Sequence, residues 1–316
     1  MSLQTIQTAL GRRQALRISR LLRERLRHFF EAPPSKIFLR DHSHCEILKP
    51  ANGIIMKFSS LPLYLTALLP IISSASLVAY YPLDTDASDA SGNGFDGNVV
   101  DGTVIFGQTG ANGNTGSSAA FPDNGHIDVP FNSALNPSSF TVALWANASS
   151  TNGFASPITS RDDAGGGATT HGYILYNDNG GNWNFWTGDG NPGWDTMSGG
   201  SVTPNAWTHL AMTFDAATDT KSFWINGELA SSETAPNQYS QNGPESEDFH
   251  IGGGADTGKA FLFSGNIDDV SIWNTALDEA AILNIKDNGV ASAIPEATSL
   301  GLLALGCLGL LRRRRS

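Results

Sequence analysis

The stretch that decides the fold lies near the C-terminal end of the chain: Phe263-Ser-Gly-Asn-Ile-Asp-Asp-Val-Ser-Ile-Trp-Asn-Thr-Ala-Leu277. Val270 and Ile272 alternate with the residues on either side, which is the period-two pattern of a strand with two unlike faces. Asp278 then stands where a helix N-cap is needed, apolar side chains recur on one helical stripe, and Gly289 can end the helix. The stretch therefore predicts a strand that runs directly into a short helix.

Upstream of this stretch, short apolar and aromatic runs alternate with clusters of Gly, Asn, Asp, Ser and Thr. This spacing is typical of an all-β sandwich. Asn226-Gly227 adds a strong hairpin signal. Eight runs are predicted to be strands: Leu77–Leu83, Phe140–Asn147, Gly172–Tyr176, Trp183–Thr187, Trp207–Phe214, Lys221–Ile225, Phe249–Ile251 and Gly265–Trp273.

Four blocks, in order along the chain, resemble the laminin-G-like, concanavalin A-like jelly-roll domains. The opening stretches of the four blocks are, in order, Ala79-Tyr-Tyr-Pro-Leu-Asp84, Phe140-Thr-Val-Ala-Leu-Trp145, Trp207-Thr-His-Leu-Ala-Met-Thr-Phe-Asp215 and Gly265-Asn-Ile-Asp-Asp-Val-Ser-Ile-Trp273. The resemblance implies an all-β, two-sheet antiparallel jelly-roll sandwich over 77–293, with one short C-terminal helix and with the first and last strands paired. It does not specify a function, because this fold hosts lectins, adhesion modules, hydrolases and scaffolds.

The charge of the chain is distributed very unevenly. Residues 76–293 carry 25 of the 30 acidic residues but only four of the 19 Lys and Arg, a formal charge of −21 against −11 for the whole chain. Such a domain repels nucleic acid and anionic membranes. Its acidity suits Ca²⁺ or neutral sugars, or simply solubility outside the cell. Both cysteines, Cys45 and Cys307, lie outside this segment, so a disulfide within it is excluded.

The two ends of the chain read as targeting segments. Residues 1–55 form a basic leader that either touches a membrane surface as an amphipathic helix or precedes the true start at Met56. Residues 56–76 show the charge, apolar run and small residues of a signal peptide. Residues 294–316 resemble a PEP-CTERM sorting signal, with Pro295-Glu296, an apolar span and four Arg.

The sorting resemblance implies an exosortase-type protease and transient anchoring through the C-terminal segment, with the Arg cluster on the cytoplasmic side. Ala297 stands where many members of that family have Pro. An ordinary tail anchor is the alternative. Both interpretations place the domain outside the cytoplasm, at the cell surface or in the extracellular matrix.

Oxygen-rich residues suggest a calcium site. Asp89 and Asn93, with the Gly-rich turn around them, offer the carboxylate, amide and carbonyl ligands that Ca²⁺ prefers. Asp268 or Asp269 would complete the shell if the first and last strands pair as the resemblance implies. The alternative is an Asx turn together with a solvated acidic pair.

A second candidate site lies in the segment from Tyr176 to Trp194, which contains three Trp among amides and carboxylates. Aromatic faces stack on sugar rings, and amides bind hydroxyl groups. Trp194, Trp186 and Asn184 are therefore predicted to bind a glycan, with Trp194 the most exposed ring. Core packing of these Trp is the alternative.

Catalytic motifs are missing from the sequence. The Glu-x-Asp-x-x-Glu strand of the related glucanases does not occur, and the four histidines of the acidic segment show no metal-binding spacing such as His-Glu-x-x-His. The sequence thus favours a non-enzymatic protein that binds glycan or matrix material. A structural or adhesion module without a small ligand is the first alternative, and a hydrolase with an atypical site is the second.

Overall fold

The fold is known from a computed structural model, which describes residues 75–151, 153–164, 169–242, 248–253 and 260–294. Contacts divide the chain into two units, 1–69 and 70–316. All described residues lie in the second unit. They form two antiparallel β-sheets, one short α-helix and two single-turn 3₁₀ helices, Ser133–Leu135 and Val290–Ala293.

The first sheet has eight strands, in the order β13-β12-β11-β6-β15-β4-β3, with β1 also paired to β15. Its strands are β1 (Leu77–Tyr81), β3 (Ile105–Thr109), β4 (Ser117–Phe121), β6 (Phe140–Ala148), β11 (Thr208–Asp215), β12 (Thr220–Ile225), β13 (Glu228–Thr234) and β15 (Gly265–Trp273). Because β15 pairs with β6 on one side and with β1 and β4 on the other, it is central to this sheet.

The second sheet has seven strands, in the order β10-β9-β8-β7-β14-β5-β2. Its strands are β2 (Asn98–Val100), β5 (His126–Val129), β7 (Ala155–Ala164), β8 (Thr169–Asn177), β9 (Asn182–Asp189), β10 (Asp195–Ser201) and β14 (Phe249–Ile251). The main hydrophobic core lies between the two sheets, where inward-facing side chains from both interdigitate.

All eight predicted strands are confirmed, and the fold is the expected jelly-roll sandwich. The hairpin at Asn226-Gly227 joins β12 to β13, and both turn residues have positive φ, as a two-residue hairpin turn requires. Of the seven further strands among the described residues, the hairpin signal implied only β13, and the other six were missed. Strands such as Ser117–Phe121 and Asp195–Ser201 are rich in small and polar residues, so pairing with neighbours rather than intrinsic propensity decides their conformation.

Strand β15 has two unlike faces, as its alternation predicts. Val270 and Ile272 belong to the core between the sheets, whereas Trp273 packs on the opposite face under the helix α1 (Glu279–Asn288). A bulge between Asp268 and Ser271 interrupts the register with β6, and Asp269 takes a φ of 51° there. The bulge redirects the two carboxylates at the middle of the closing strand.

The helix α1 begins as the sequence predicts. The Asp278 side chain accepts a hydrogen bond from the Ala281 main-chain N–H at 2.9 Å, and Gly289 follows the last turn with a φ of 81°. Ile282 and Ile285 are its buried residues and cover the outer face of the eight-stranded sheet.

Replacing Asp278 with alanine should lower the free energy of unfolding by about 1 kcal/mol, since an orphan N–H loses its acceptor. Thermal unfolding of the full-length protein should show a decrease in Tm of about 2–4 °C. Asp278→Asn, which keeps a capping oxygen, is the control and should stay near the parent value. Equal Tm values for the alanine variant and the parent would contradict this capping role.

The leader predicted at 1–55 lies outside the described residues, as do nearly all of the signal peptide at 56–76 and the sorting signal at 294–316. No helix among the described residues combines the length and apolar character needed to cross a membrane.

Candidate functional site

Aromatic side chains cluster on the outer face of the seven-stranded sheet, the face turned away from the core. Alternation along β9 puts Trp183 and Phe185 in the core and Trp186 on this outer face. The ring of Trp186 packs edge-on against Tyr176, with centroids 5.0 Å apart. We call the following group the aromatic face: Phe154, Arg161, Tyr176, Trp186, Trp194 and Phe261.

Arg161 connects the members of this face. Its guanidinium carbon lies 5.5 Å from the ring centroid of Trp194 and 5.5 Å from that of Phe261, within the range of a cation–π contact. One guanidinium nitrogen also donates to the Tyr176 hydroxyl at 3.1 Å. Although Arg161 is only 8% exposed, it therefore holds three rings in fixed positions.

Two glycines allow Arg161 and Trp194 to meet. Arg161 on β7 pairs with Gly172 on β8, which pairs with Gly188 on β9, and Trp194 immediately precedes β10. A Cβ at Gly172 would lie 1.9 Å from the Ser160 carbonyl oxygen, and Gly172 has a φ of 83°. A Cβ at Gly188 would also collide with main chain. Neither position can carry a side chain, so the sheet surface between the two partners stays bare.

The loop before β10 positions Trp194. The main-chain N–H of buried Thr170 donates to the Asn191 carbonyl at 3.1 Å, and its hydroxyl lies 2.5 Å from the Gly193 carbonyl oxygen. Asp189 accepts from the Asn191 main-chain N–H at 2.8 Å. Trp194 is half-buried, so one part of its ring packs on the protein while the other faces solvent.

The three residues predicted to bind a glycan lie in two different environments. Trp194 and Trp186 are both half-buried members of the aromatic face. Asn184 is only 7% exposed, and its amide nitrogen donates to Asp178 at 2.8 Å and to the Asn182 carbonyl at 3.1 Å. With its donors engaged, Asn184 orients the neighbouring turn rather than offering a free amide.

A second group of polar side chains lies at the bulge of β15. Asp268 and Asp269 are 0% and 3% exposed. Burial, together with the charge of nearby Asp84, raises the pKa of Asp268 to about 6. Burial and the charges of Asp268 and Asp84 raise the pKa of Asp269 to about 7, even though the Tyr80 hydroxyl donates to Asp269 at 2.5 Å. Two buried carboxylates thus lie near the charge of a third, the half-buried Asp84.

Asp268 is incompletely satisfied. Its Oδ2 accepts from the Ala111 main-chain N–H at 2.8 Å, whereas Oδ1 is buried and has no hydrogen-bond partner among the described residues. A buried carboxylate oxygen without a partner is unfavourable. A bound cation would supply the missing interaction.

The structure does not bring Asp89 and Asn93 into this acidic group. Asp89 accepts hydrogen bonds from the main chain of Tyr80 and Ser91, at 3.0 and 2.9 Å. Although partial burial acts to raise the pKa of Asp89, these bonds outweigh it and hold the pKa below its usual value. The Asn93 amide donates to the Val78 carbonyl at 2.8 Å. The main-chain N–H of Tyr80 donates to Asp89, whereas the Tyr80 hydroxyl donates to Asp269. The carboxylates of Asp89 and Asp269 therefore lie at opposite ends of Tyr80.

Sequence reasoning missed Asp84 in the acidic group and Arg161, Phe154 and Phe261 in the aromatic face. These residues come from distant parts of the chain and carry no local motif. The pairing of β1 with β15 was implied and is observed, and it is what brings Asp84, just after β1, close to the closing strand.

Comparison with known proteins agrees with this architecture. The family model for the concanavalin A-like lectin/glucanases superfamily, Laminin_G_3, matches residues 121–283, about half of the chain. No curated protein matches the chain significantly.

Two solved structures show the same fold. Domain 4 of AbnA, a GH43 extracellular arabinanase from Geobacillus stearothermophilus solved with arabinotriose, is 23% identical, with a TM-score of 0.52 over 67% of this chain and 99% of that one. The binding domain of Paraclostridial Mosquitocidal Protein 1 is 18% identical, with a TM-score of 0.52. That match covers 67% of this chain and 52% of the toxin domain, about half its length.

Proposed function

Since the chain belongs to the concanavalin A-like lectin/glucanases superfamily, we propose that its aromatic face binds a neutral glycan without catalysing its breakdown. The observation that carries this proposal is the half-buried Trp194, fixed by Arg161 beside Tyr176 and Trp186 on one sheet surface. The arabinotriose bound to the structurally similar arabinanase domain supports the same class of ligand.

The chemistry of the face suits an uncharged sugar. The rings offer apolar surface for the C–H faces of a pyranose or furanose, and they are already ordered before a ligand arrives, so little entropy is lost on binding. The described segment is strongly acidic overall, which disfavours anionic glycans at low ionic strength.

Binding of the purified full-length protein to a glycan array, with and without CaCl₂, tests the proposal. We expect saturable binding to neutral oligosaccharides. Absence of binding in both buffers would leave a structural or adhesion module as the function. Release of reducing ends from a polysaccharide panel would instead identify a hydrolase.

Replacing Trp194 with alanine should weaken glycan binding about 10- to 100-fold. Burial of a large apolar side chain contributes about 1.5–3 kcal/mol, and about 1.4 kcal/mol corresponds to a tenfold change in Kd. Titration calorimetry with the best array ligand measures the change. Trp145→Ala removes a half-buried indole from the eight-stranded sheet and is the matched control. An unchanged Kd for the Trp194 variant would move the site elsewhere.

We further propose that Ca²⁺ binds at Asp268 and Asp269 and draws Asp84 towards it, since the ligand oxygens of the three do not all lie within 4.8 Å of one another in the structure. The unpartnered Asp268 Oδ1 and the repulsion among buried Asp268, buried Asp269 and half-buried Asp84 support a cation there. All three side chains offer the hard oxygen ligands that Ca²⁺ prefers. The ion would offset most of the negative charge of the group and fix the closing strand against the segment that follows β1, so its role would be structural.

Export is the third part of the proposal. The signal-peptide pattern at 56–76 and the sorting pattern at 294–316 support a protein that acts at the cell surface or in the extracellular matrix, after processing by an exosortase-type protease. Fractionation of expressing cells, with antibodies against the sandwich, tests this. Recovery of the protein only from the cytoplasm would contradict it.

A further inference from the structure

A third cluster of side chains lies on the outer face of the seven-stranded sheet, on strands β5 and β14. His126 and Asp128 are two residues apart on β5, and His250 is the cross-strand partner of Asp128 on β14. One ligand atom from each lies within 4.8 Å of the others, and no other group of three or more His, Cys, Asp or Glu in the described part of the chain meets this condition. His126 and His250 are 4% and 7% exposed.

Both ring nitrogens of His126 face an oxygen atom that can only accept, whereas a neutral imidazole carries a single N–H. Its Nδ1 lies 3.2 Å from the Asn124 carbonyl oxygen and donates to it when Nδ1 carries the hydrogen. Nε2 faces Asp128 Oδ1 at 3.2 Å. In a neutral imidazole Nε2 would then be a lone pair opposite a carboxylate oxygen, and the two would repel each other. A proton or a metal ion between them removes the repulsion.

His250 also has a ring nitrogen in position to bind a metal ion. Its Nδ1 lies 2.6 Å from the same Asp128 oxygen, whereas its Nε2 is buried without a hydrogen-bond partner among the described residues. Thr159, its cross-strand partner on β7, likewise has a buried hydroxyl without a partner there. Metal ligation through Nδ1 would place the ring proton on Nε2, where it turns this unpartnered nitrogen into a donor on the side of the strand next to Thr159.

We propose that His126 Nε2, the Asp128 carboxylate and His250 Nδ1 bind one divalent transition-metal ion, with Zn²⁺ the best match. Two imidazoles and one carboxylate suit Zn²⁺, whereas Ca²⁺ prefers oxygen ligands alone. Ligand atoms around tetrahedral Zn²⁺ stand about 3.3 Å apart, which follows from bond lengths of about 2.0–2.1 Å. The 3.2 Å contact of His126 already fits, and the 2.6 Å contact of His250 has to widen on binding.

The proposed zinc site is open to solvent at Asp128. Its side chain is 26% exposed, so an ion can enter from solvent, and three protein ligands leave a coordination position for water. The ion would tie β5 to β14, a strand of only three residues. This inference does not rest on glycan binding, because none of its residues belongs to the aromatic face.

Titration of the EDTA-stripped full-length protein with ZnCl₂ tests the site. His42, His44 and Cys45 also offer metal ligands and lie outside the described residues, so the background protein carries alanine at all three. We expect one equivalent of Zn²⁺ to bind and to raise Tm by about 5–10 °C at 100 times Kd. Failure of this background protein to bind one equivalent overturns the proposal.

Variants locate the ion. His126→Gln and Asp128→Asn should each weaken Zn²⁺ binding by more than about 100-fold, since loss of a direct ligand exceeds the 10- to 100-fold loss typical of an outer partner. His171→Gln, on β8 of the same sheet, should bind Zn²⁺ as the background does. Unchanged affinity of the first two variants overturns the proposal.

X-ray absorption spectroscopy of the Zn²⁺-loaded background protein identifies the ligands directly. It does not depend on whether the ligand variants fold. The expected first shell contains two imidazole nitrogens and oxygen ligands. A shell with fewer than two imidazoles would contradict the proposed site.

Discussion

Replacing Phe140 with alanine should lower the free energy of unfolding by about 4 kcal/mol, because truncation of a buried Phe in a packed core typically loses 3–5 kcal/mol. Phe140 on the eight-stranded sheet contacts Tyr173 and Phe185 on the other sheet, at centroid distances of 4.8 and 6.2 Å. It also contacts Phe214 and Tyr239. One ring thus joins the two layers of the sandwich.

Thermal unfolding should show this loss as a decrease in Tm of roughly 8–16 °C, at about 2–4 °C per kcal/mol for a domain of this size. Leu229→Ala is the control, since Leu229 is 51% exposed on β13 and makes no comparable core contact. An equally small decrease in Tm for both variants would show that the packing of Phe140 between the sheets contributes little to the stability of the core.

Addition of CaCl₂ at pH 8 should raise the Tm of the EDTA-stripped protein by about 5–10 °C when the ion is present at 100 times its Kd. The same addition at pH 5 should have little effect. The reason is that Ca²⁺ binds ionised carboxylates, and burial with mutual repulsion raises the pKa of Asp268 to about 6 and of Asp269 to about 7.

The dependence on pH has a definite sign. Both folded-state pKa values exceed the usual 3.8 of an unfolded Asp. In the absence of metal, the unfolded chain releases these protons at lower pH than the folded one. The stability that the protonated pair provides is therefore present below about pH 4 and is lost as the pH rises through about 6 to 7.

Asp269→Asn separates this effect from other titrations. The amide cannot ionise, so the variant in EDTA should lose less stability between pH 5 and 8 than the parent, and its response to Ca²⁺ should be weaker. Asp86→Asn, at an exposed position in the same acidic segment, should behave like the parent. Parent curves that coincide in EDTA and in CaCl₂ at pH 8 would contradict calcium binding here.

The candidate sites were predictable only in part. Trp186 and Trp194 stand in a segment whose composition by itself suggests a sugar platform, and alternation along β9 correctly separates Trp186 from the core residues Trp183 and Phe185. Asn184 shows the limit of such reasoning. It shares the outward side of the strand, yet a turn at Asp178 folds back and engages its amide.

By itself, the sequence determined the features that depend on residues close together along the chain. Strand alternation in β15, the Asp278 cap and the Asn226-Gly227 turn are local, because hydrogen bonds and side-chain directions within a few residues set them. Weak strands such as β4 and β10 escaped prediction because their pairing partners, not their own propensities, make them strands.

Only the tertiary structure decided which distant residues meet. Arg161 reaches Trp194 because two strands between them carry glycine at the crossing. His250 lies beside Asp128, 122 positions earlier, because the sheet order places β14 next to β5. Spacing along the chain records neither the order of strands nor their register, so these sites follow from how the strands pair.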